Sequence, residues 1–177
     1  FNNDVFFAMS HGVHRGVLKS GKYDKREEII NKLMEKIPNI RFDLHGMNAK
    51  QPIWADDYID AISQSKIGLN LSQGKPLKYY SSDRFAQLIG NGLLVMVDEK
   101  TKFNNFFSNK EVIFYKNIND LAIKITKYSN NDKLRNNIAK NGRKKYFKYF
   151  NSSIIAQFII EKTLNISNSK KYLWHDK

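Results

Sequence analysis

Cationic and hydroxyl side chains crowd into one short segment of the sequence. In chain order they are Lys75, Lys78, Ser81, Ser82 and Arg84. Arg84 falls in the first turn of a predicted helix, and backbone N–H groups and the positive end of the helix dipole point out of such a start. Helix capping alone would explain the two serines, but it leaves the clustering of the three cations unexplained. The alternative to capping is a phosphate site built from these five side chains.

A second group of candidate ligand-binding residues lies in the glycine-rich loop at 10–21. Gly12 would let the backbone approach a ligand closely. Arg15 would face a phosphate, and His11 and His14 would face a sugar or a nucleoside. The His-x-x-His spacing also admits a metal ion, but no third ligand is evident from the sequence, so we predict no metal site. Surface histidines without a role are the other interpretation.

Short apolar segments alternate with amphipathic helical segments along the chain. Strands are predicted at 4–9, 40–45, 67–71, 93–97 and 112–115. Helices are predicted at 24–37, 56–64, from Ser81 or Ser82 to the glycines at 90–92, from Asn117 or Asn119 to 128, at 130–149 and at 152–164. The alternation predicts an α/β fold, a Rossmann-like open parallel sheet with helices on both faces. We expect one domain over 1–166, closed by the C-terminal helices, and a polar tail at 167–177.

The predicted loops at 10–21, 46–54, 72–82 and 98–103 all follow strands. In open parallel sheets the carboxyl ends of the strands meet at one edge, and ligands bind there. His45 ends the second strand at the same edge, where it could contact a sugar or nucleoside or could be a structural histidine. This convergence predicts a binding site more strongly than any single motif does.

Composition narrows the function classes. The 177 residues include no cysteine and carry a formal net charge of +13. Cysteine nucleophiles and thiolate zinc sites are therefore excluded, and no Walker loop or Rossmann glycine fingerprint is present. The positive charge favours either attraction to polyanions or anionic membranes, or simply a lysine-rich composition with solvated helix faces. Because the chain opens at Phe1, we expect a fragment whose N-terminal acceptor domain is absent.

The order of these elements resembles the C-terminal domain of GT-B glycosyltransferases of the group 1 type. The family pattern is Arg-x-x-Glu-x-x-Ala-x-Gly followed by an apolar strand, and residues 84–92 of this chain read Arg-Phe-Ala-Gln-Leu-Ile-Gly-Asn-Gly. Further similar segments lie at 65–72, 119–121, 132–135 and 138–142. The resemblance spans roughly residues 4–164.

The resemblance implies a domain that holds a nucleoside-diphosphate sugar. Basic residues of such domains neutralise the diphosphate leaving group, so no metal or other cofactor is needed. Arg84 matches a donor-phosphate position, and Lys75 and Lys78 lie in the adjoining loop. Gln87 stands where the family has a Glu that holds ribose hydroxyls. No catalytic residue is assigned, and the fragment alone is expected to be inactive.

The implied protein is a bacterial, hexosyltransferase-like enzyme of cell-envelope biogenesis. Its acceptor would be a glycan or a lipid-linked glycan, and we expect no specific nucleic acid partner. It would be cytoplasmic, with peripheral association with the inner membrane. Two alternatives stay open: a non-enzymatic basic module that binds RNA or acidic lipid, and an epimerase-like enzyme acting on sugar nucleotides through His11, His14 or Asp98.

Overall fold

The computed structural model describes residues 1–10, 24–166 and 172–174. In these residues one sheet contains five parallel strands in the order β2-β1-β3-β4-β5. The strands are β1 (Asn3–Ala8), β2 (Phe42–His45), β3 (Ser65–Asn70), β4 (Leu94–Asp98) and β5 (Ile113–Tyr115). The helices are α1 (Lys25–Lys36), α2 (Ala55–Ser63), α3 (Asp83–Gly90), α4 (Ile118–Ser129), α5 (Asp132–Tyr149) and α6 (Ser152–Thr163). The predicted Rossmann-like architecture is confirmed.

The sheet is buried on both faces because its strands are apolar at successive positions. In β1, Val5 and Phe7 enter one core, whereas Phe6 and Ala8 enter the other. Helices α1 and α4 cover the first face, and α2 and α3 cover the second. Helix α5 contributes to both cores, through Ile138 on the first side and Tyr146 on the second. Burial on both faces is what all-parallel sheets require.

The direction of winding reverses at β1, which has β2 on one side and β3 on the other. Such a reversal opens a crevice between the carboxyl ends of two neighbouring strands, here β1 and β3. Helix α3 packs tightly on β3 beside this crevice. A Cβ atom at Gly68 would lie 2.6 Å from Leu88 Cδ2, so only glycine allows this close approach. The packing holds the first turn of α3 over the crevice.

The C-terminal helices close the domain as predicted, with an aromatic cluster beneath them. Of the predicted polar tail at 167–177, the structure describes residues 172–174, and these pack on the domain. Tyr172 is buried and its hydroxyl donates to Glu161 Oε2 at 2.7 Å. The Trp174 ring stacks on Phe150 with 5.5 Å between centroids. No helix in the described ranges is long and apolar enough to cross a bilayer.

Candidate functional site

Arg84 reaches back from the first turn of α3 across the crevice of the sheet. Its Nε donates to the carbonyl oxygen of Ala8 at 3.0 Å, and its Nη1 donates to that of Leu71, also at 3.0 Å. Ala8 is the last residue of β1, and Leu71 directly follows β3. One guanidinium therefore bridges the two strand ends between which the winding reverses. This is the position at which open α/β sheets bind their ligands.

The Arg84 guanidinium is partly buried, and it forms no ion pair among the described residues. Burial, with a smaller effect from the charge of Arg26, lowers the pKa of Arg84 to about 10. One face of the guanidinium lies over the Phe7 ring, 5.0 Å from its centroid. No carboxylate in the described ranges forms an ion pair with it. Partial burial of a cation whose described hydrogen-bond partners are neutral carbonyls is costly, and an anionic ligand would supply a negative charge.

Two clefts meet at Arg84. The first, here the aromatic cleft, has a volume of about 540 Å³. Its walls include Pro52, Ile53, Trp54, Asp56, Tyr58, Ile59, Asp83 and Gln87. The second, here the polar cleft, has a volume of about 370 Å³. Its walls include Arg26, Asn70, Ser72, Gln73, Lys75, Tyr80 and Ser82. The guanidinium thus separates an apolar, ring-lined space from one lined by cations, amides and hydroxyls.

The loop after β2 and the start of α2 form one wall of the aromatic cleft, and Gly46 holds the start of that loop in place. Gly46 has φ +74°, and a Cβ atom there would lie 1.6 Å from the carbonyl oxygen of Met9. Met9 N–H in turn donates to His45 O at 3.0 Å. The loop and the end of β1 are therefore held in direct contact. The Tyr58 ring meets Phe6 edge-on at 5.3 Å, which orients the phenol at the base of the cleft.

The charges of the polar cleft come from α1 and from the loop before α3. Arg26 is buried and pairs with the N-cap residue of α1, Asp24, through Nε at 3.0 Å and Nη2 at 2.6 Å. Its charge is therefore balanced by an ion pair, which Arg84 lacks in the described part of the chain. Lys75 is exposed at the rim. We expect a bound anion to be held mainly by Arg84, with Lys75 as a mobile second cation.

Ser82 stands at the N-cap position of α3, as predicted, but its side chain does not cap the helix. Its hydroxyl donates instead to Oδ1 of the buried Asn70 at 2.9 Å. Asn70 is the last residue of β3, so this bond ties the helix start to the strand end. The predicted capping by Ser81 or Ser82 is wrong in this respect, because the buried amide is the better partner. The first turn of α3 has no side-chain cap.

The structure brings together only some of the residues that the sequence nominated. Lys75, Ser82 and Arg84 share the polar cleft, and Gln87 lies with Arg84 in the aromatic cleft. Exposed Lys78 lines neither cleft. Its ammonium lies 4.6 Å from the centroid of the adjacent tyrosine ring.

Ser81 faces a third cavity, of about 410 Å³, whose walls are mostly phenylalanine and tyrosine rings. His45 Nε2 lies 2.9 Å from Asp43 Oδ1, and its imidazole lines neither the aromatic nor the polar cleft. The remaining nominated residues, His11, Gly12, His14 and Arg15, lie outside the described residues. Where the structure is described, no three histidine or carboxylate side chains are grouped so as to hold a metal ion.

Sequence reasoning did not nominate Arg26 or Asn70. Arg26 looks like a solvated cation in the first turn of α1, and only its pairing with Asp24 places it in the cleft. The one sequence signal for Asn70 is an amide at the end of an otherwise apolar strand. A polar residue in that place is a reasonable marker of a site at the carboxyl edge.

Together, the sheet topology and the bridging guanidinium define a Rossmann-like α/β domain with a candidate ligand site at its switch point. A family model described as glycosyl transferase-like matches residues 25–161. The match covers most of the chain, and the chain therefore belongs to this glycosyl transferase-like family. A search of curated protein sequences gave no significant match.

Solved glycosyltransferases share the fold at low sequence identity. A point mutant of Staphylococcus aureus TarM, in complex with fondaparinux, α-GlcNAc-glycerol and UDP, aligns with a TM-score of 0.62 and 16% identity over 95% of this chain and 36% of its own. Anabaena HepE in complex with UDP aligns with a TM-score of 0.56 and 11% identity over 80% of this chain and 38% of its own. Sucrose-phosphate synthase of Thermosynechococcus elongatus aligns with a TM-score of 0.55 and 16% identity over 81% of this chain and 35% of its own. The predicted GT-B domain is confirmed, and the chain spans little more than a third of the length of these proteins.

Proposed function

We propose that this chain is the donor-binding part of a glycosyltransferase that uses a nucleoside-diphosphate sugar. The observation that carries the proposal is Arg84, a partly buried cation at the switch point of the sheet that has no ion-pair partner in the described part of the chain. A diphosphate would supply the charge that the fold leaves unbalanced. The aromatic and polar clefts on either side of Arg84 would hold the two groups that a diphosphate joins.

The electrostatics of the clefts suggest which end of the donor enters which cleft. Asp83 lines the aromatic cleft beside Arg84, and its carboxylate would repel phosphate oxygens on that side. The diphosphate would therefore lie on the polar-cleft side, within reach of Lys75 and Ser82.

The nucleoside would occupy the aromatic cleft. Its base would lie against the exposed Trp54 ring or Tyr58, since a base stacks readily on aromatic rings. Gln87, in the same cleft, can donate to and accept from ribose hydroxyls.

The chemistry asked of this domain is stabilisation of a leaving group. In the transfer, the bond between the anomeric carbon and the diphosphate oxygen breaks, and the bond from the acceptor oxygen to the anomeric carbon forms. The acceptor hydroxyl loses its proton to a base, and the nucleoside diphosphate leaves with the bonding electron pair. Arg84 and Lys75 would stabilise the charge that develops on the departing phosphate.

We further propose an acceptor in the bacterial cell envelope, either a glycan or a lipid-linked glycan, and a hexose as the transferred sugar. The similar fold of TarM, whose structure holds α-GlcNAc-glycerol, supports a glycan-related acceptor. Groups that bind the acceptor would come from outside this chain, so we expect donor binding with little turnover by the chain alone.

Calorimetric titration with UDP and GDP tests the donor site. Arg84→Ala should weaken binding of the preferred nucleotide by about 1.5–3 kcal/mol, the range for a hydrogen bond to a charged group. Arg143→Ala is the matched control, because Arg143 Nε also donates to a carbonyl, that of Gly90 at 2.8 Å, and its guanidinium also lies over a ring, that of Phe147 at 5.4 Å. It lines none of the three cavities.

Equal affinities of Arg84→Ala and the unaltered chain would refute the assignment of Arg84. Absence of binding by any nucleoside diphosphate would refute the donor-binding function itself. Affinity that falls steeply with salt and ignores the identity of the base would favour the alternative of a basic RNA-binding module.

A further inference from the structure

Asn70 is a buried amide whose nitrogen has no acceptor among the described residues. It is the last residue of β3 and is 5% exposed. Its Oδ1 accepts from Ser82 Oγ at 2.9 Å, and this is its one side-chain hydrogen bond within the described part of the chain. Its Nδ2 is not one of the fully enclosed unpaired atoms there, and Asn70 lines the polar cleft. Since buried polar side-chain atoms nearly always have a partner, the free nitrogen points to a ligand in this cleft.

The hydroxyl of Ser82 sets which end of the Asn70 amide meets the cleft. A hydroxyl has one proton, and that of Ser82 is given to Asn70 Oδ1. The carbonyl end of the amide is therefore held at the start of α3, and the NH₂ end is left for the cleft. For the same reason, Ser82 has no proton left to donate to a ligand. Any effect of this hydroxyl on ligand binding would therefore pass through Asn70.

Arg84 brings a second free donor to the same cleft. Its Nε and Nη1 donate to carbonyls, whereas its Nη2 has no acceptor among the described residues. The carbonyl that accepts from Nη1 is that of Leu71, the residue directly after Asn70, so the guanidinium is anchored close to the amide. Both side chains line the polar cleft. Two free N–H donors in one cleft suit a ligand group that offers several acceptor oxygens.

The chemistry of the polar cleft favours a phosphate group as that ligand. Its described lining consists of cations, amides, hydroxyls and apolar groups, without a carboxylate. Phosphate oxygens only accept hydrogen bonds and carry negative charge, so they match a lining rich in donors. Sugar hydroxyls also donate, and a site built for them gains from carboxylate acceptors. A donor that is already oriented before binding would also need no reorganisation when the phosphate enters.

We propose that the Nδ2 group of Asn70 donates to a phosphate oxygen of the nucleoside diphosphate, and that Ser82 is a positioning residue that holds the amide in the required orientation. This inference rests on the proposed donor-binding function, and it adds a neutral, buried contact to the charged contact of Arg84. The alternative is that Asn70 only ties the end of β3 to the start of α3. That structural role needs an acceptor for the Ser82 hydroxyl but no donor toward the cleft.

The substitution Asn70→Asp separates the two roles. Aspartate has the shape of asparagine and still accepts from Ser82, but it has no N–H and places a negative charge beside the diphosphate. Calorimetric titration with UDP and GDP should show that the nucleotide preferred by the unaltered chain binds at least about a hundredfold more weakly. The free energy of unfolding, measured by urea denaturation, should not fall, because the bond from Ser82 is kept and Arg84 gains a carboxylate close by.

Asn91→Asp is the matched control. Asn91 follows the other end of α3, its Nδ2 donates to the carbonyl of Gln87 at 2.8 Å, and it lines none of the three cavities. The same change of charge at this exposed position should alter nucleotide affinity less than about threefold, because solvent and salt screen it. A second variant, Asn70→Ala, removes the amide without adding a charge and should lower affinity about tenfold.

Variants of Ser82 test the positioning role. Ser82→Thr keeps a hydroxyl and should bind the nucleotide about as tightly as the unaltered chain. Ser82→Ala leaves the amide free to turn and should lower affinity roughly three- to tenfold. In the Asn70→Ala background, Ser82→Ala should have no further effect, because it acts through the missing amide. Losses that simply add would show that Ser82 acts independently of Asn70 and would overturn its positioning role.

Equal affinities of Asn70→Asp and the unaltered chain would overturn the proposal, as would equal losses from Asn70→Asp and Asn91→Asp. A loss of affinity in Asn70→Asp that comes with a loss in the free energy of unfolding would identify Asn70 as a structural tie and would also overturn it. If Arg84→Ala weakens binding and the Asn70 variants do not, this inference fails and the donor-binding function stands. If the unaltered chain binds neither nucleotide, the donor-binding function fails and the role of Asn70 fails with it.

Discussion

An arginine lies at each of the two opposite ends of the sheet, Arg135 fully buried and Arg84 partly buried, and the two have different surroundings. At the carboxyl end, Arg84 contacts two carbonyls and a phenylalanine ring, with no carboxylate among the partners that the described residues supply. At the amino end, the Arg135 side chain is 2% exposed. Its Nη1 donates to Asp132 Oδ1 at 2.6 Å and to the carbonyl of Tyr128 at 3.2 Å, in the last turn of α4. Arg135 therefore has an ion-pair partner, whereas Arg84 has none among the residues that the structure describes.

The difference separates a structural role from a binding role. Arg135 joins the start of α5 to the end of α4, where carbonyls lack partners within the helix. Arg84 also joins two elements, but it does so beside two open clefts and without an ion pair in the described ranges. We therefore expect substitutions near the amino end to change stability and substitutions at Arg84 to change ligand binding.

The largest expected change in stability is from Arg135→Met. Methionine keeps much of the buried volume but loses the bonds to Asp132 and to the α4 carbonyls. We expect a loss of roughly 2–4 kcal/mol in the free energy of unfolding, measured by urea denaturation. Nucleotide affinity of the folded variant should be unchanged. A loss below about 1 kcal/mol would show that Arg135 is not the structural counterpart of Arg84.

A smaller effect, and one that depends on pH, is expected at Asp4, which is buried at the start of β1. It accepts from Lys66 Nζ at 2.7 Å and from the Arg41 N–H at 3.0 Å. Burial alone would raise the pKa of Asp4, but the hydrogen bonds from Lys66 and Arg41 outweigh it and hold the pKa below 3.8. Because the folded-state pKa is the lower one, the carboxylate stabilises the fold above the unfolded-state pKa, and this contribution is lost as the pH falls through the folded-state value.

We therefore expect Asp4→Asn to lower the free energy of unfolding by about 1–2 kcal/mol at neutral pH. The difference from the unaltered chain should shrink once the pH falls below about 4. Denaturation at a series of pH values measures it. A difference that persists unchanged in acid would mean that the carboxylate charge at this end of the sheet is not what stabilises it.

The smallest change in stability is expected for Arg84→Met, the substitution that matches Arg135→Met. Loss of two hydrogen bonds to carbonyls is offset by removal of a partly buried charge that has no ion pair among the described residues. The free energy of unfolding without ligand should change by less than about 1 kcal/mol, measured by the same urea denaturation. A loss as large as that expected at Arg135 would make Arg84 a structural residue and erase the contrast between the two ends.

The elements of the fold were predictable because their signals are local. Runs such as Val5–Phe7 and Val95–Val97 are apolar at every position, which indicates strands buried on both faces. The starts of α1 and α4 follow from the capping residues Asp24 and Asn117, whose side chains accept from N–H groups two or three residues ahead. Neither signal depends on residues distant in the sequence.

The clefts were less predictable because side-chain direction in the loop before α3 depends on distant partners. The hydroxyl of Ser82 turns to Asn70, twelve positions earlier. Tyr79 has φ +61°, and its N–H donates to Thr101 O at 2.8 Å. This left-handed turn separates Lys75, in the polar cleft, from Ser81, in the third cavity. Composition nominated this segment but could not assign its members to different sides.

The contact between Gly46 and the Met9 carbonyl has a consequence for how specificity can diverge. This contact holds the start of the loop after β2 against the end of β1, and the wall residues at 52–59 follow later in the chain. Arg84 is anchored separately, from α3 to the ends of β1 and β3. The segment that would recognise a base can therefore be exchanged or lengthened without moving the group that would hold the phosphates. Chimaeras that transplant only this segment are a natural route to altered nucleotide preference.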